Sequence, residues 1–192
     1  MILDKKKLFK IKGDASFREF YRKKEKSKSS IIIFSKKEKR NNLLIYDAIN
    51  KILTQNNLIA PRLINQNYHQ NFIEVNDLGK ITALDHIKKS KNKFLVFKKI
   101  IDLLIKLQKI RTRRVKNFKN KLYNIPIYTN KLLFNEAKLF CEWYVPENLK
   151  KNRIKINKKL KLKIKNLLNN LKLKNNIIVH RDFHVSNLML YK

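Results

Sequence analysis

Ile177-Ile178-Val179-His180-Arg181-Asp182-Phe183-His184-Val185-Ser186-Asn187-Leu188-Met189-Leu190 sets a polar loop between two apolar triplets. Short apolar runs bounding a polar segment predict strand, loop, strand. Inside the loop Asn187 follows Asp182 by five residues. A carboxylate can accept the proton of an attacking hydroxyl, and an amide oxygen can hold a magnesium ion. The pair therefore suits phosphoryl transfer to an alcohol. The same residue types also cap ordinary turns by bonding their own backbone, so the rest of the chain has to decide. His180 and His184 stand four apart around Asp182, but no Cys and no further His lies nearby in sequence to complete a transition-metal set.

The bulk properties narrow the classes. A chain of 192 residues with 43% hydrophobic content can form one ordinary domain or two small lobes with a real core. Its single cysteine, Cys141, excludes an intrachain disulfide and suits a reducing compartment. The first ten residues lack the apolar segment of a secretory signal, and no apolar run approaches a membrane span. A cytoplasmic protein with no membrane partner is expected. Forty-seven Lys and Arg against 14 Asp and Glu give a net charge of +33. That excess ordinarily points to nucleic acid or an anionic surface. Here lysine is spread through nearly every segment among Asn and Ile, as AT-rich coding produces. Even the densest tract, 150–174, alternates Lys with Leu and Ile as a solvated helix face does. No specific nucleic-acid partner is expected.

Along the chain, Leu8 to Ile11, Phe17 to Arg22 and Ile31 to Phe34 predict a three-stranded antiparallel start. Glu38 to Asn57 predicts a helix with Ile45, Ala48, Ile49, Ile52 and Leu53 on one face. Arg62 to Asn76 predicts a hairpin, and Asp77-Leu78-Gly79 punctuates it. Helices follow at 82–89, 92–110 (Val96, Phe97, Ile100, Leu104 and Leu107 inward), 130–144 (stopped by Pro146) and 155–174, the last with Ile156, Leu160, Ile164, Leu167 and Leu171 inward. Arg111 to Tyr128 reads as a basic loop. Strands segregated from helices predict an α+β class, with a sheet-bearing N-lobe over 1–78 and a helical C-lobe over 79–192.

His180-x-Asp182-x-His184-x-x-Asn187 resembles the catalytic loop of the aminoglycoside phosphotransferase and choline kinase group, whose fold is protein-kinase-like and two-lobed. Three further stretches resemble a bacterial branch of that family, the cell-wall amino-sugar kinases, and come in the same order. They are Gly13-Asp14-Ala15-Ser16-Phe17-Arg18-Glu19-Phe20-Tyr21-Arg22, Val75-Asn76-Asp77-Leu78-Gly79, and Glu136-Ala137-Lys138-Leu139-Phe140-Cys141-Glu142-Trp143-Tyr144. The resemblance implies ATP and Mg²⁺ as cofactors and a small sugar as acceptor. It implies Asp182 as base, His180 as a brace for the loop through a backbone bond, and Asn187 as metal ligand. It further implies Gly13, Ser16 and Arg18 (or Arg22) around the ATP phosphates, and adenine against the backbone from Val75 to Asp77. Glu136, Trp143, Tyr144 and Arg181 would border the acceptor. Core packing is an equally good reading of the Phe140–Tyr144 face, and a plain β-turn of Gly13 to Ser16. No lysine stands on the strand at 31–34, so the phosphate-pairing lysine is left open, as are the acceptor hydroxyl and the oligomeric state.

The family's second metal ligand, an Asp on the strands after the catalytic loop, has no counterpart before Lys192. A fragment or a decayed gene is expected, and little turnover from these residues by themselves. The rival readings are a basic nucleic-acid-binding protein and a catalytically dead kinase-like module.

Overall fold

A computed structural model describes residues 8–11, 18–26, 28–148, 153–171 and 177–191. The described residues up to Ile125, together with those from His180, form one compact unit, and 126–179 form a second.

The first unit is built on a five-stranded antiparallel sheet: β1 (Leu8–Ile11), β2 (Arg18–Glu25), β3 (Lys28–Ser35), β4 (Leu63–Asn67) and β5 (Phe72–Asn76), in the order β1-β2-β3-β5-β4. The expected three-stranded start and the expected hairpin are thus one sheet, joined where β3 meets β5. The register pairs Ile31 with Val75 and Ile33 with Ile73. Alternation along each strand then sends Ile33, Ile73 and Val75 to one face, where they pack with Leu43 of helix α1 (Asn41–Gln55). Helix α1 ends in a Schellman arrangement: Asn57 takes φ 59°, its N–H reaches the Thr54 carbonyl, and the Leu58 N–H reaches the Leu53 carbonyl. Helix α2 (Ala83–Lys89) starts with a capping box between Thr82 and Asp85.

The expected basic loop at 111–128 contains a hairpin instead, β6 (Arg114–Lys116) and β7 (Leu122–Asn124). Asn117 makes its turn by accepting the Lys119 and Lys121 N–H groups, and Asp47 of α1 accepts the Phe118 N–H at 2.7 Å. Basic residues around Val115 mask a strand too short to show alternation, so the signal is tertiary.

Helix α3 (Lys93–Gln108) buries Leu107 but leaves the predicted inward Phe97 exposed. Phe94, Phe97, Ile101 and Ile105 are 79, 45, 56 and 44% exposed and fall at helical spacing. An apolar stripe of this kind promotes association. The purified chain should elute in size-exclusion chromatography as soluble oligomers or aggregates, and Phe94→Lys with Ile101→Lys should shift it towards monomer. A wild-type monomer at high concentration would contradict this.

The second unit holds α4 (Asn130–Leu139), a π-helical turn (Phe140–Tyr144), α5 (Val145–Asn148) and α6 (Arg153–Asn170). Pro146 does not stop the helix as expected. The π turn ends with the Val145 N–H on the Phe140 carbonyl, and Pro146 then falls in the first turn of α5, where a missing N–H costs little. Cys141 is fully buried, as its small apolar character suggested. On α6 the inward face differs from the expected one. Leu168 is buried and Leu160 and Ile164 are half-buried, but Ile156, Leu167 and Leu171 are exposed. Two asparagines set this rotation: Asn157 donates to the Cys141 carbonyl at 2.6 Å, and Asn130 to the Leu168 carbonyl at 2.9 Å. Residues 172–174 of the expected helix lie outside the described residues. Among the described residues no helix is long and apolar enough to cross a membrane.

Candidate active site

The loop at 180–190 is held by the start of α2. The first-turn amides of a helix have no partner within it. Here the Ala83 and Leu84 N–H groups donate to the carbonyls of Leu188 (2.8 Å) and Val185 (3.1 Å), and the Leu190 N–H donates back to the Ile81 carbonyl (2.8 Å). The expected strands on either side of the loop do not form. Among the described residues only one bridge, Thr82 with Met189, joins the exit segment to a neighbour. Helix α2 begins at once on the partner side, so the ladder has nothing to extend along. Gly79 lies close by with φ 107°, where only glycine is unstrained, and a Cβ there would sit 3.9 Å from the Leu190 carbonyl.

Inside the loop the structure brings Asp182, His184 and Asn187 together. Asn187 Nδ2 donates to Asp182 Oδ2 at 2.6 Å and to the Asp182 carbonyl at 3.1 Å. His184 Nε2 lies 3.3 Å from Asp182 Oδ1, while its Nδ1 accepts the Ser186 N–H at 3.3 Å. With Nδ1 on the Ser186 amide, the ring turns its Nε2 edge to Asp182. Sequence reasoning assigned His184 no role. Arg181 takes φ 70°, a turn that non-glycine residues rarely make, directly before Asp182. The His180 ring meets Phe183 edge-on at 5.5 Å, and among the described residues the expected backbone bond to His180 is not seen. Asp182 remains 72% exposed at its side chain. Because Asn187 turns its amino group to Asp182, its Oδ1 is left for a cation. Two hard oxygen donors facing solvent suit magnesium. No cluster of three or more His, Cys, Asp or Glu occurs among the described residues.

The segment after β5 is a second organised place. Arg22 grips Asp77 in bidentate fashion, Nε to Oδ2 at 2.5 Å and Nη2 to Oδ1 at 3.0 Å, and also donates to the Gly79 carbonyl at 2.6 Å. Ser29 Oγ and the Gly79 N–H complete the shell of Asp77 at 2.8 and 2.9 Å. The Arg22 guanidinium first, with the Gly79 and Ser29 bonds, lowers the Asp77 carboxyl to about 2. Arg22 is therefore committed to Asp77, not to phosphate oxygens as anticipated. Arg18 lays its guanidinium 5.0 Å from the Tyr46 ring. Val75 is 2% exposed and belongs to the core. The Asn76 N–H is spent on the Arg62 carbonyl, so the backbone groups outside the sheet ladder begin at Asp77. Gly13 and Ser16 lie outside the described residues.

Beside this segment is a polar set that sequence reasoning missed. Ser30 Oγ donates to Glu74 Oε1 at 2.5 Å, and Lys23 Nζ lies 3.4 Å from the same oxygen and 2.7 Å from Glu25. Nothing in the one-dimensional pattern marks it, because one lysine in 47 basic residues carries no signal.

In the second unit, Glu136 is engaged by the Tyr128 hydroxyl. Trp143 is 73% exposed, and Tyr144 stacks on Phe140 with ring centres 4.9 Å apart. Phe140 and Tyr144 are thus surface aromatics and not core. Lys161 and Lys138 flank Glu142 and lower its carboxyl.

Comparison with known proteins bears on the chain as a whole. The model of the phosphotransferase enzyme family matches residues 8–191. The chain is similar to the N-acetylmuramate/N-acetylglucosamine kinase of Pseudomonas putida, 29% identical over 177 residues, covering 92% of this chain and 49% of that protein. It is similar also to the enzyme of that name from Neisseria meningitidis, 27% identical over 182 residues, covering 92% of this chain and 51% of that protein. The chain spans about half the length of the curated relatives it matches.

Proposed function

Because the chain belongs to the phosphotransferase enzyme family, we propose that it serves the transfer of the ATP γ-phosphoryl group to a sugar hydroxyl, with amino sugars as the acceptor class. The observation that carries the reading is the Asp182–Asn187–His184 arrangement, seated on the start of α2. Asp182 accepts the acceptor's hydroxyl proton and aims its oxygen in line. Asn187 fixes the Asp182 rotamer through Nδ2 and offers Oδ1 to magnesium. His184 holds the second Asp182 oxygen. Magnesium, when bound, neutralises charge on the β- and γ-oxygens. Asp77 and Leu78 present backbone to adenine, with Arg22 keeping that segment rigid, and Gly13, Ser16 and Arg18 would serve the ATP phosphates. Leu78-Gly79 is then the boundary between the 1–78 and 79–192 lobes. In the second unit Trp143 and Tyr144 offer flat apolar faces, and Glu136 a polar group, of the kinds that bind a sugar; in the first, Arg181 offers a donor of the kind that binds hydroxyls. Working on ATP, the protein would act in the cytoplasm.

The test uses residues 1–192 with Mg²⁺, ATP, N-acetylglucosamine and N-acetylmuramate. Calorimetry should detect magnesium-dependent ATP binding. Turnover should be small, because Asn187 is a neutral ligand and, among the described residues, Asp182 is the one carboxylate bonded to it. Failure to bind ATP at all would remove the reading.

A further inference from the structure

We propose that Arg22, on β2, is a positioning residue for the loop that carries Asp182 and Asn187: it fixes the 77–79 turn, and through that turn the seat on which the loop rests. The inference rests on the phosphotransferase reading and deepens it.

The loop at 180–190 is tied down at one place. Among the described residues, each backbone hydrogen bond that joins it to another segment ends on 81–84. The Leu190 N–H meets the Ile81 carbonyl, and the Ala83 and Leu84 N–H groups meet the Leu188 and Val185 carbonyls. Asp182, Asn187 and His184 bond one another and the Ser186 amide, all within the loop. The Asp182 and His184 side chains are 72 and 50% exposed. Where the loop stands therefore follows from where 81–84 stands.

That seat begins at a turn held from the sheet. Arg22 reaches both Asp77 oxygens and the Gly79 carbonyl. The Gly79 N–H returns to Asp77 Oδ1, and Ser29 of β3 donates to Oδ2. The N–H and the carbonyl of Gly79 are thus both taken, which leaves the turn little freedom. Gly79 is also where the turn passes the far end of the loop, since a Cβ there would meet the Leu190 carbonyl at 3.9 Å. Any shift of the turn is felt at Ile81 and at Leu190. The Arg22 and Asp77 side chains are 14 and 6% exposed, so water competes weakly for these bonds. The arrangement needs arginine in particular. A guanidinium fork meets a carboxylate and a carbonyl in fixed directions at once, whereas a lysine ammonium carries the same charge without that geometry.

The experiment compares wild type, Arg22→Lys and a core control, Ile33→Val, with urea midpoints measured for all three. Hydrogen exchange on residues 1–192 should find the Ala83, Leu84 and Leu190 amides exchanging roughly 10- to 100-fold faster in Arg22→Lys, the effect of losing one or two charge-assisted bonds. Ile33→Val should speed the β3–β5 ladder and leave those three amides at wild-type rates. In a chain extended to the full length of the curated relatives, Arg22→Lys should lower kcat roughly 10- to 100-fold with the acceptor KM unchanged, as misplacement of a catalytic group does. Ile33→Val should keep the wild-type kcat. Wild-type exchange at the three amides in Arg22→Lys would overturn the inference. So would equal acceleration of them in both variants, which would reduce Arg22 to a contributor of overall stability, and so would an undiminished kcat. Failure of wild type to bind ATP would remove the phosphotransferase reading; the exchange measurement needs no nucleotide and still decides whether Arg22 holds the loop.

Discussion

Asp182→Ala, made in a chain extended to the full length of the curated relatives, is expected to lower kcat for acceptor phosphorylation by roughly 10²–10⁴-fold, the usual contribution of a positioned general base. ATP affinity should not change, because Asp182 serves the acceptor hydroxyl and the nucleotide base meets a different segment. The geometry sharpens the expectation. Both carboxylate oxygens are held, Oδ2 by Asn187 and Oδ1 by His184, so the side chain is oriented before any acceptor arrives. Asn187→Ala should therefore lower kcat as well, by freeing Asp182 and by removing Oδ1 as a magnesium ligand. Single-turnover assays with labelled ATP would measure both. Undiminished turnover in Asp182→Ala would refute the assignment.

Arg22→Met is expected to destabilise the chain by about 2–4 kcal/mol, because it strands a carboxylate that is 6% exposed and loses its bidentate partner. Urea unfolding followed by circular dichroism would report it. The same pair makes a pH prediction. The Asp77 carboxyl is lowered from its ordinary 3.8 to about 2 in the folded chain. A carboxyl with a depressed folded value stabilises the fold above its unfolded value and loses that contribution as pH falls through the folded one. Stability contributed by Asp77, about 1–2 kcal/mol after allowance for solvent screening, is thus complete above about pH 5 and lost between about pH 4 and pH 2. In Asp77→Asn that part of the acid slope should be missing. An unaltered acid profile in the variant would show that the pair does not carry it.

These two predictions draw on different kinds of legibility. That Asp182 and Asn187 meet was readable because chain neighbours make the loop, and a contiguous motif keeps its spacing in one dimension. The helices at 41–55 and 93–108 and the strands at 8–11, 28–35, 63–67 and 72–76 were readable for a related reason: period 3.6 and period 2 are local consequences of backbone geometry. Their ends and inward faces were read less well. Phe97 was expected inside and is not, and α6 turned a different face because Asn157 and Asn130 fasten it to backbone carbonyls across the second unit.

By itself the sequence determined the α+β class, the run of sheet strands ahead of most of the helices, and the family resemblance that the match over 8–191 supports. Only the tertiary structure decided what Arg22, Lys23 and Glu74 do. It spent Arg22 on Asp77, 55 residues away, and closed Glu74 against Lys23, 51 residues away. In a chain of 47 basic residues, composition cannot say which cation meets which acid. The choice is made by strand register, since pairing β2 with β3 and β3 with β5 is what sets those side chains within bonding distance and excludes water from them.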